Sequence, residues 1–133
     1  MARKFILLKS SEKYPRHLCV DEGIAEDFLE FIEKDEKHRD KFKMIVDRIL
    51  NEANIYFELY SKEGSNAKTK SVTAMKFFKG GENARVYCKE ISSSEGTFYI
   101  IAAKFLPMKK VQKNDKKIQS LVKSISHYEY DIT

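Results

Sequence analysis

Cysteine is scarce in this 133-residue chain, which has two, Cys19 and Cys88. They lie far apart and form neither a Cys-x-x-Cys pair nor a zinc-ligand spacing. A disulfide-stapled scaffold and a zinc module are therefore set aside, and a reducing, cytoplasmic setting is expected. Long apolar runs are missing too. The longest, residues 5–8 and 98–103, fall far short of the roughly 20 residues that span a bilayer, so no membrane association is expected. Basic residues do precede the first run, but Lys9, Ser10, Ser11 and Glu12 end it after four positions, which reads as a first strand, not a signal peptide. No phosphate-binding glycine loop and no nucleophile elbow occurs. Histidine is absent between His38 and His127, and His17 and His38 have no metal-ligand spacing. No metal and no small-molecule cofactor is expected.

What is present describes one small domain over residues 1–133. Apolar residues make up 42%, with seven Tyr and nine Phe, and a chain of this size buries about two-thirds of its unfolded surface, enough for a core. The formal charge is +5, from 25 Lys and Arg against 20 Asp and Glu. Its distribution is uneven. Residues 1–66 carry 12 basic and 14 acidic side chains, net −2, whereas residues 67–133 carry 13 and 6, net +7. A cationic block attracts polyanions by steering and counterion release, so nucleic acid leads the list of partners. The plainer account is a lysine-rich solvated face.

Hydrophobic period gives the organisation. Residues 3–9 read as a strand, and residues 12–19, interrupted by Pro15, as a loop. Ile24, Phe28, Phe31 and Ile32 recur at helical spacing; so do Phe42, Ile45, Val46, Ile49, Leu50 and Ala53. The short connection between them predicts an antiparallel helical hairpin. Residues 55–60 are too short to classify, and residues 61–71 read as a polar loop. The period then drops to 2 through residues 72–78, 84–91 and 97–105, with turn composition between them, which predicts a three-stranded antiparallel meander. Asp115 can start a last helix striped by Ile118, Leu121, Val122 and Ile125. The expected fold is α+β: an N-terminal strand, a helical hairpin, and a meander joined to the first strand in one curved sheet, closed by a C-terminal helix.

In the middle meander strand, alternation places Arg85, Tyr87 and Lys89 on one side and Ala84, Val86 and Cys88 on the other. The polar side is the candidate site. In the next strand Phe98, Ile100, Ala102 and Lys104 share a face opposite Tyr99, Ile101, Ala103 and Phe105. Both faces look buried, as in a central strand, with Lys104 marking where cover ends.

The segments MKFFKGGENARVYC (residues 75–88), FYIIAAKF (98–105) and KKVQKND (109–115), with a terminal amphipathic helix ending in His127 and Tyr128, resemble the RelE/ParE-type toxin superfamily, particularly its HigB-like, phage-derived branch. The helical hairpin is similar in layout, so the resemblance covers nearly the whole chain. It implies a curved antiparallel sheet and, in enzymatic members, metal-independent cleavage of mRNA on the ribosome. Such chemistry rests on a base for a ribose 2′-hydroxyl, cations at the phosphate, and a donor for the leaving oxygen. Arg85 aligns with the family's second-strand arginine, whose planar fork suits a phosphate. Lys76 and Lys79 precede it, Lys104 ends the following strand, and Tyr128 stands where family members present an acid/base or stacking residue; these five are the candidate catalytic residues. Lacking a mid-sheet histidine, the chain would need a lysine or tyrosine as base. Tyr87, Lys89, Lys109, Lys110, Lys113, Lys116, Lys117 and His127 are the candidate nucleic-acid contacts.

Each assignment has a structural competitor. Arg85 can simply pair with Glu82 or Glu90 on an exposed strand. Lys76 and Lys79 can be solubilising edge lysines, basic loops occur on proteins that bind nothing, and Tyr56, Phe57 and Tyr60 read as core instead of a base-stacking platform. Cys88 reads as a buried small hydrophobe. A toxin implies an antitoxin partner, acidic or inserting a helix across the basic surface. Two other functions stay open: a ParE-like inhibitor of DNA gyrase without nuclease chemistry, and a non-catalytic nucleic-acid or protein-binding module.

Overall fold

A computed structural model describes residues 2–63, 69–77, 84–107 and 116–132. The fold is α+β, with strands β1 (Phe5–Ser10), β2 (Arg16–Asp21), β3 (Tyr60–Lys62), β4 (Val72–Lys76), β5 (Arg85–Ser92) and β6 (Phe98–Leu106), and helices α1 (Ala25–Ile32), α2 (Glu36–Asn51) and α3 (Lys116–Ser126). The six strands form one sheet in the order β1-β2-β6-β5-β4-β3. All neighbours are antiparallel except β2 and β6, which run parallel. The sheet is mixed, which corrects the antiparallel expectation.

The helical hairpin forms as its periodicity predicts. Asp35 caps α2, accepting a 2.8 Å hydrogen bond from the His38 backbone N–H, and Ile45, Val46, Ile49 and Leu50 are buried on one face. The far end of α2 is closed from another element. Arg16 on β2 donates to the carbonyl oxygens of Ile49, Leu50, Glu52 and Ala53 at 2.6–3.3 Å, groups that an isolated helix leaves bare. Phe28, Phe31, Phe42, Phe77 and Phe105 then lock the hairpin to the sheet with ring centroids 4.9–6.3 Å apart.

Two local expectations are corrected. The segment read as a loop over residues 12–19 contains most of β2, an inner strand. Its apolar stretch is only Leu18, Cys19 and Val20, all buried, and residues covered on both faces show no alternation to betray a strand. Tyr60–Lys62, from stretches left unclassified or read as loop, forms the far edge β3. Helices also cover both faces of the sheet. The hairpin packs on Val86, Cys88, Ile100 and Ala102, while α3 packs Ile118, Val122 and Ile125 on Val72, Ala74, Tyr87 and Ala103. The polar side of β5 is therefore partly roofed.

The two chain ends meet. The Arg3 backbone N–H donates to Glu129 O, and buried Asp21 receives Arg3 Nε at 2.6 Å and the Tyr130 hydroxyl at 2.7 Å. The Arg3 guanidinium lies 4.0 Å from the centroid of the Tyr128 ring.

Candidate functional site

The first residue of β5, Arg85, is paired in register with Lys76 on β4 and Leu106 on β6. Residues directly opposite in antiparallel strands share a face, so Lys76 and Arg85 lie together on the α3 side. Glu63, just past β3, is held by its backbone N–H to Val72 O and sends its carboxylate to both cations. Oε1 stands 3.7 Å from Arg85 Nη1 and 4.0 Å from Lys76 Nζ. The Glu63 and Arg85 side chains are only 8% and 13% exposed.

These separations exceed hydrogen-bond length. Arg85 Nε and Nη1 are buried without a hydrogen-bond partner among the described residues, and the Tyr87 hydroxyl two positions along is in the same condition. Burial pushes the Tyr87 phenol up, as does the Glu63 carboxylate, against the opposing pull of Arg85. Its proton stays in place across the physiological range. Buried donors left this way cost about 1–3 kcal/mol each, and such exceptions call for a reason.

A bulge completes the cluster. The β5–β6 register steps between Tyr87, opposite Lys104, and Cys88, opposite Ala102. The extra residue, Ala103, packs against α3 as Tyr87 does, and Lys104 is carried onto the same face. Strict alternation had grouped Lys104 with Phe98, Ile100 and Ala102; the bulge moves it beside Tyr87, where it is exposed.

Other candidates go elsewhere. Lys89 turns to the end of α3 and donates to Ser126 O. Burial lowers its pKa, partly offset by Glu129. Its role in the fold is to cap that helix. Tyr128 follows the same helix end and lies under Arg3, so it is displaced along the sheet: Lys89, which marks that end, is four residues from Arg85, about 13 Å at strand rise. Exposed His127 lies at that end too. Lys116 and Lys117 are exposed in the first turn of α3. Lys79, Lys109, Lys110, Lys113, Glu82 and Asp115 lie outside the described residues.

The anticipated pairing of Arg85 with Glu90 does not occur. Glu90 is on the opposite face, accepting hydrogen bonds from Tyr56 and Tyr60 at 2.7 Å and from Lys62 at 3.1 Å. Thr73 donates to the Tyr60 hydroxyl, and the expected core role of Tyr60 holds. Cys88 is fully buried, and burial pushes its thiol well up; burial pushes the Cys19 thiol up to about 12. Both are inert small hydrophobes.

Glu63 was missed by sequence reasoning. In sequence it is one acid in a polar stretch, and only the β3–β4 pairing shows which cations it meets. An open groove of about 520 Å³, lined by Lys37, Lys41, Met44, Arg48, Phe57 and Phe77 among others, lies on the α2 layer, away from Arg85 and Tyr87. Among the described residues, no group of three or more His, Cys, Asp or Glu is placed to hold a metal ion. No described helix is long and apolar enough to cross a membrane. Comparisons with protein-family models, with curated proteins and with solved structures found no match.

Proposed function

We propose that the chain is a metal-independent endoribonuclease of the ribosome-dependent toxin type, with Arg85 at the scissile phosphate. One observation carries the proposal: a guanidinium and a phenol side by side, buried and lacking hydrogen-bond partners among the described residues, with a carboxylate at 3.7 Å. A structural ion pair would close that gap to hydrogen-bond length. An oxyanion drawn onto Arg85 supplies the acceptor the site lacks.

The chemistry follows from the placement. Glu63 takes the proton of a ribose 2′-hydroxyl, replacing the lysine or tyrosine base suggested by sequence. The freed 2′-oxygen attacks the neighbouring phosphorus while Arg85 and Lys76 stabilise the charge gathering on the phosphoryl oxygens. The bond to the 5′-oxygen breaks, and that oxygen takes a proton from a flanking ammonium group, Lys76 or Lys104. The products are a 2′,3′-cyclic phosphate and a 5′-hydroxyl. Exposed Lys104, Lys116 and Lys117 extend the cationic surface for the RNA backbone. The ribosome supplies the substrate in the cytoplasm, and a partner antitoxin restrains the enzyme.

Inducible expression with transcript-end mapping tests the proposal. The native chain is expected to arrest growth with new cyclic-phosphate ends, and Arg85→Ala to abolish both. Arrest with intact mRNA overturns it. A DNA-damage response in that case points to a gyrase-directed toxin, and salt-sensitive RNA binding without cleavage on supplied ribosomes points to a binding module.

A further inference from the structure

α2 carries two stripes. One, through Ile45, Val46, Ile49 and Leu50, is buried in the core. The other, through Lys37, Lys41, Met44 and Arg48, steps by four, three and four residues. That spacing keeps it within an arc of about 60° and runs it about 17 Å along the helix. This second stripe lines the groove of about 520 Å³ on the α2 layer, together with Phe57, Glu58 and Leu59 from the segment ahead of β3. The groove is apolar in part: Met44 is 40% exposed, and Phe57 and Leu59 are half-buried. Its charge is lopsided. Among the described residues lining it there are three cations, Lys37, Lys41 and Arg48, and one acid, Glu58. Arg48 is prepared for an anion. Its guanidinium lies over the Phe57 ring, 4.4 Å from the centroid, and makes no hydrogen bond or ion pair among the described residues. A guanidinium held flat on a ring, its edge open to solvent, suits a carboxylate taken by two parallel hydrogen bonds.

We infer that this groove docks a short acidic segment of a partner protein, with a carboxylate on Arg48, an aliphatic side chain against Met44 and Leu59, and further acids toward Lys41 and Lys37. Charge complementarity sets the sign of the occupant, and two features favour a peptide over RNA. The Phe57 face on which a base would stack is taken by Arg48. The apolar surface that remains, a thioether and a leucine, is stabilised by an aliphatic side chain, whereas a sugar–phosphate backbone does nothing to cover it. A second copy of the chain fits less well. Its acidic helix, α1, buries Ala25, Phe28 and Ile32, so it brings carboxylates without an apolar anchor. The groove is about as long as five residues of extended chain, so a short linear peptide is enough to fill it. It lies on the hairpin face, away from Arg85, and the inference stands apart from the ribonuclease reading.

The test pans a library of random short peptides, displayed on phage, against the full native chain. The enriched sequences are expected to place acids beside an aliphatic residue. A synthetic copy of the strongest should bind at one site by calorimetry and weaken as salt rises. Arg48→Ala should lower its affinity about tenfold or more, as for a lost hydrogen bond between charged groups, and Met44→Ser should lower it several-fold. Both side chains are exposed, so both variants should keep the native circular-dichroism spectrum. Arg85→Ala, on the opposite face of the sheet, should leave the peptide affinity unchanged. A library that enriches no acidic sequence overturns the inference. So does a peptide indifferent to Arg48→Ala and Met44→Ser, or one lost with Arg85→Ala, which would sit on the proposed phosphate site. Displacement of the peptide by single-stranded RNA whose own binding needs Arg48 assigns the groove to nucleic acid and overturns it as well. A native dimer, seen by analytical ultracentrifugation and separated by Arg48→Ala, assigns the groove to a second copy with the same result.

Discussion

The Tyr130 hydroxyl donates to Asp21 Oδ2 at 2.7 Å, joining residues 109 positions apart. Asp21 also accepts from Arg3 Nε and from the Gly23 backbone N–H, so one buried carboxylate ties the start of the chain to its end. Burial alone would raise the Asp21 pKa; the hydrogen bonds from Arg3, Tyr130 and Gly23 outweigh it and hold it below the ordinary carboxylate value.

The sign of the pH dependence follows. A depressed carboxylate stabilises the fold above its unfolded pKa, about 3.9, and that contribution fades as pH falls through the folded value. Tyr130 is shifted the other way, by burial first and then by Asp21. Its contribution is complete below the unfolded tyrosine value of about 10 and is lost as pH rises through the folded one. Tyr130→Phe is expected to cost about 2 kcal/mol at neutral pH, as for a hydrogen bond to a charged group, and to flatten the alkaline limb. Urea unfolding from acid to alkaline pH checks this. A variant with native stability throughout would reduce the clasp to a surface contact.

Arg16 offers a second stability test. Its guanidinium serves four carbonyls at the end of α2, beside the hydrogen bonds that the Ser11 hydroxyl and the Glu12 backbone N–H give to Asn51 Oδ1. Arg16→Ala should cost about 1–2 kcal/mol, less than for fully buried acceptors because two of the four contacts are part-buried and two exposed. Arg16→Lys should recover only part, because an ammonium lacks the planar fork. Hydrogen exchange in the last turn of α2 should rise in both variants. Equal stability of the Arg16→Ala and native proteins would refute the capping role.

Where the chain is amphipathic, its period disclosed the structure. The stripe through Ile45, Ile49 and Leu50 marks α2, and Ile118, Val122 and Ile125 mark α3, because each helix has one wet face. β6 was also legible: its run of small and branched residues is buried on both sides, as predicted. β2 was hidden for the same physical reason, since Leu18, Cys19 and Val20 are covered on both faces and too short to outvote Pro15 and the polar residues before it. Lys104 was misplaced because a one-residue bulge inverts every later position, and the bulge leaves no local mark in the sequence. Within the candidate site Arg85 was legible as a guanidinium on a polar strand face. Glu63 was not, because its meaning comes from Val72 and Lys76, which lie beyond a turn.

Lys89, read from sequence as a nucleic-acid contact, and Lys104, read as a catalytic candidate, should now separate. Lys104 is exposed beside Tyr87, whereas Lys89 spends its ammonium on the α3 carboxyl-terminal end. Lys104→Ala should weaken RNA binding and lower the salt slope by about 0.7, one single-strand phosphate contact, without changing stability. Lys89→Met should cost about 1–2 kcal/mol through the lost cap and leave the slope alone. Binding titrations at several salt concentrations, with thermal melts, discriminate. A Lys89 variant that flattens the slope as much as Lys104→Ala would return Lys89 to the interface.

Glu63→Gln separates grip from chemistry in the proposed ribonuclease. The carboxylate lies within 4.0 Å of both Lys76 and Arg85, so in the native chain it weakens the field that an incoming phosphate feels, while its oxygen is the group able to accept the 2′-hydroxyl proton. Glutamine keeps the shape and removes the negative charge. RNA binding should therefore tighten, by a few-fold for one partly screened charge, and cleavage should fall about 10²–10⁴-fold, the usual worth of a general base. Arg85→Ala should reduce both. Cleavage measured on programmed ribosomes, alongside binding to an uncleavable 2′-deoxy analogue, reads the two effects separately. If Glu63→Gln lost binding and cleavage in equal measure, the carboxylate would be acting only to orient Arg85, and the base would have to be sought among the lysines of the same face.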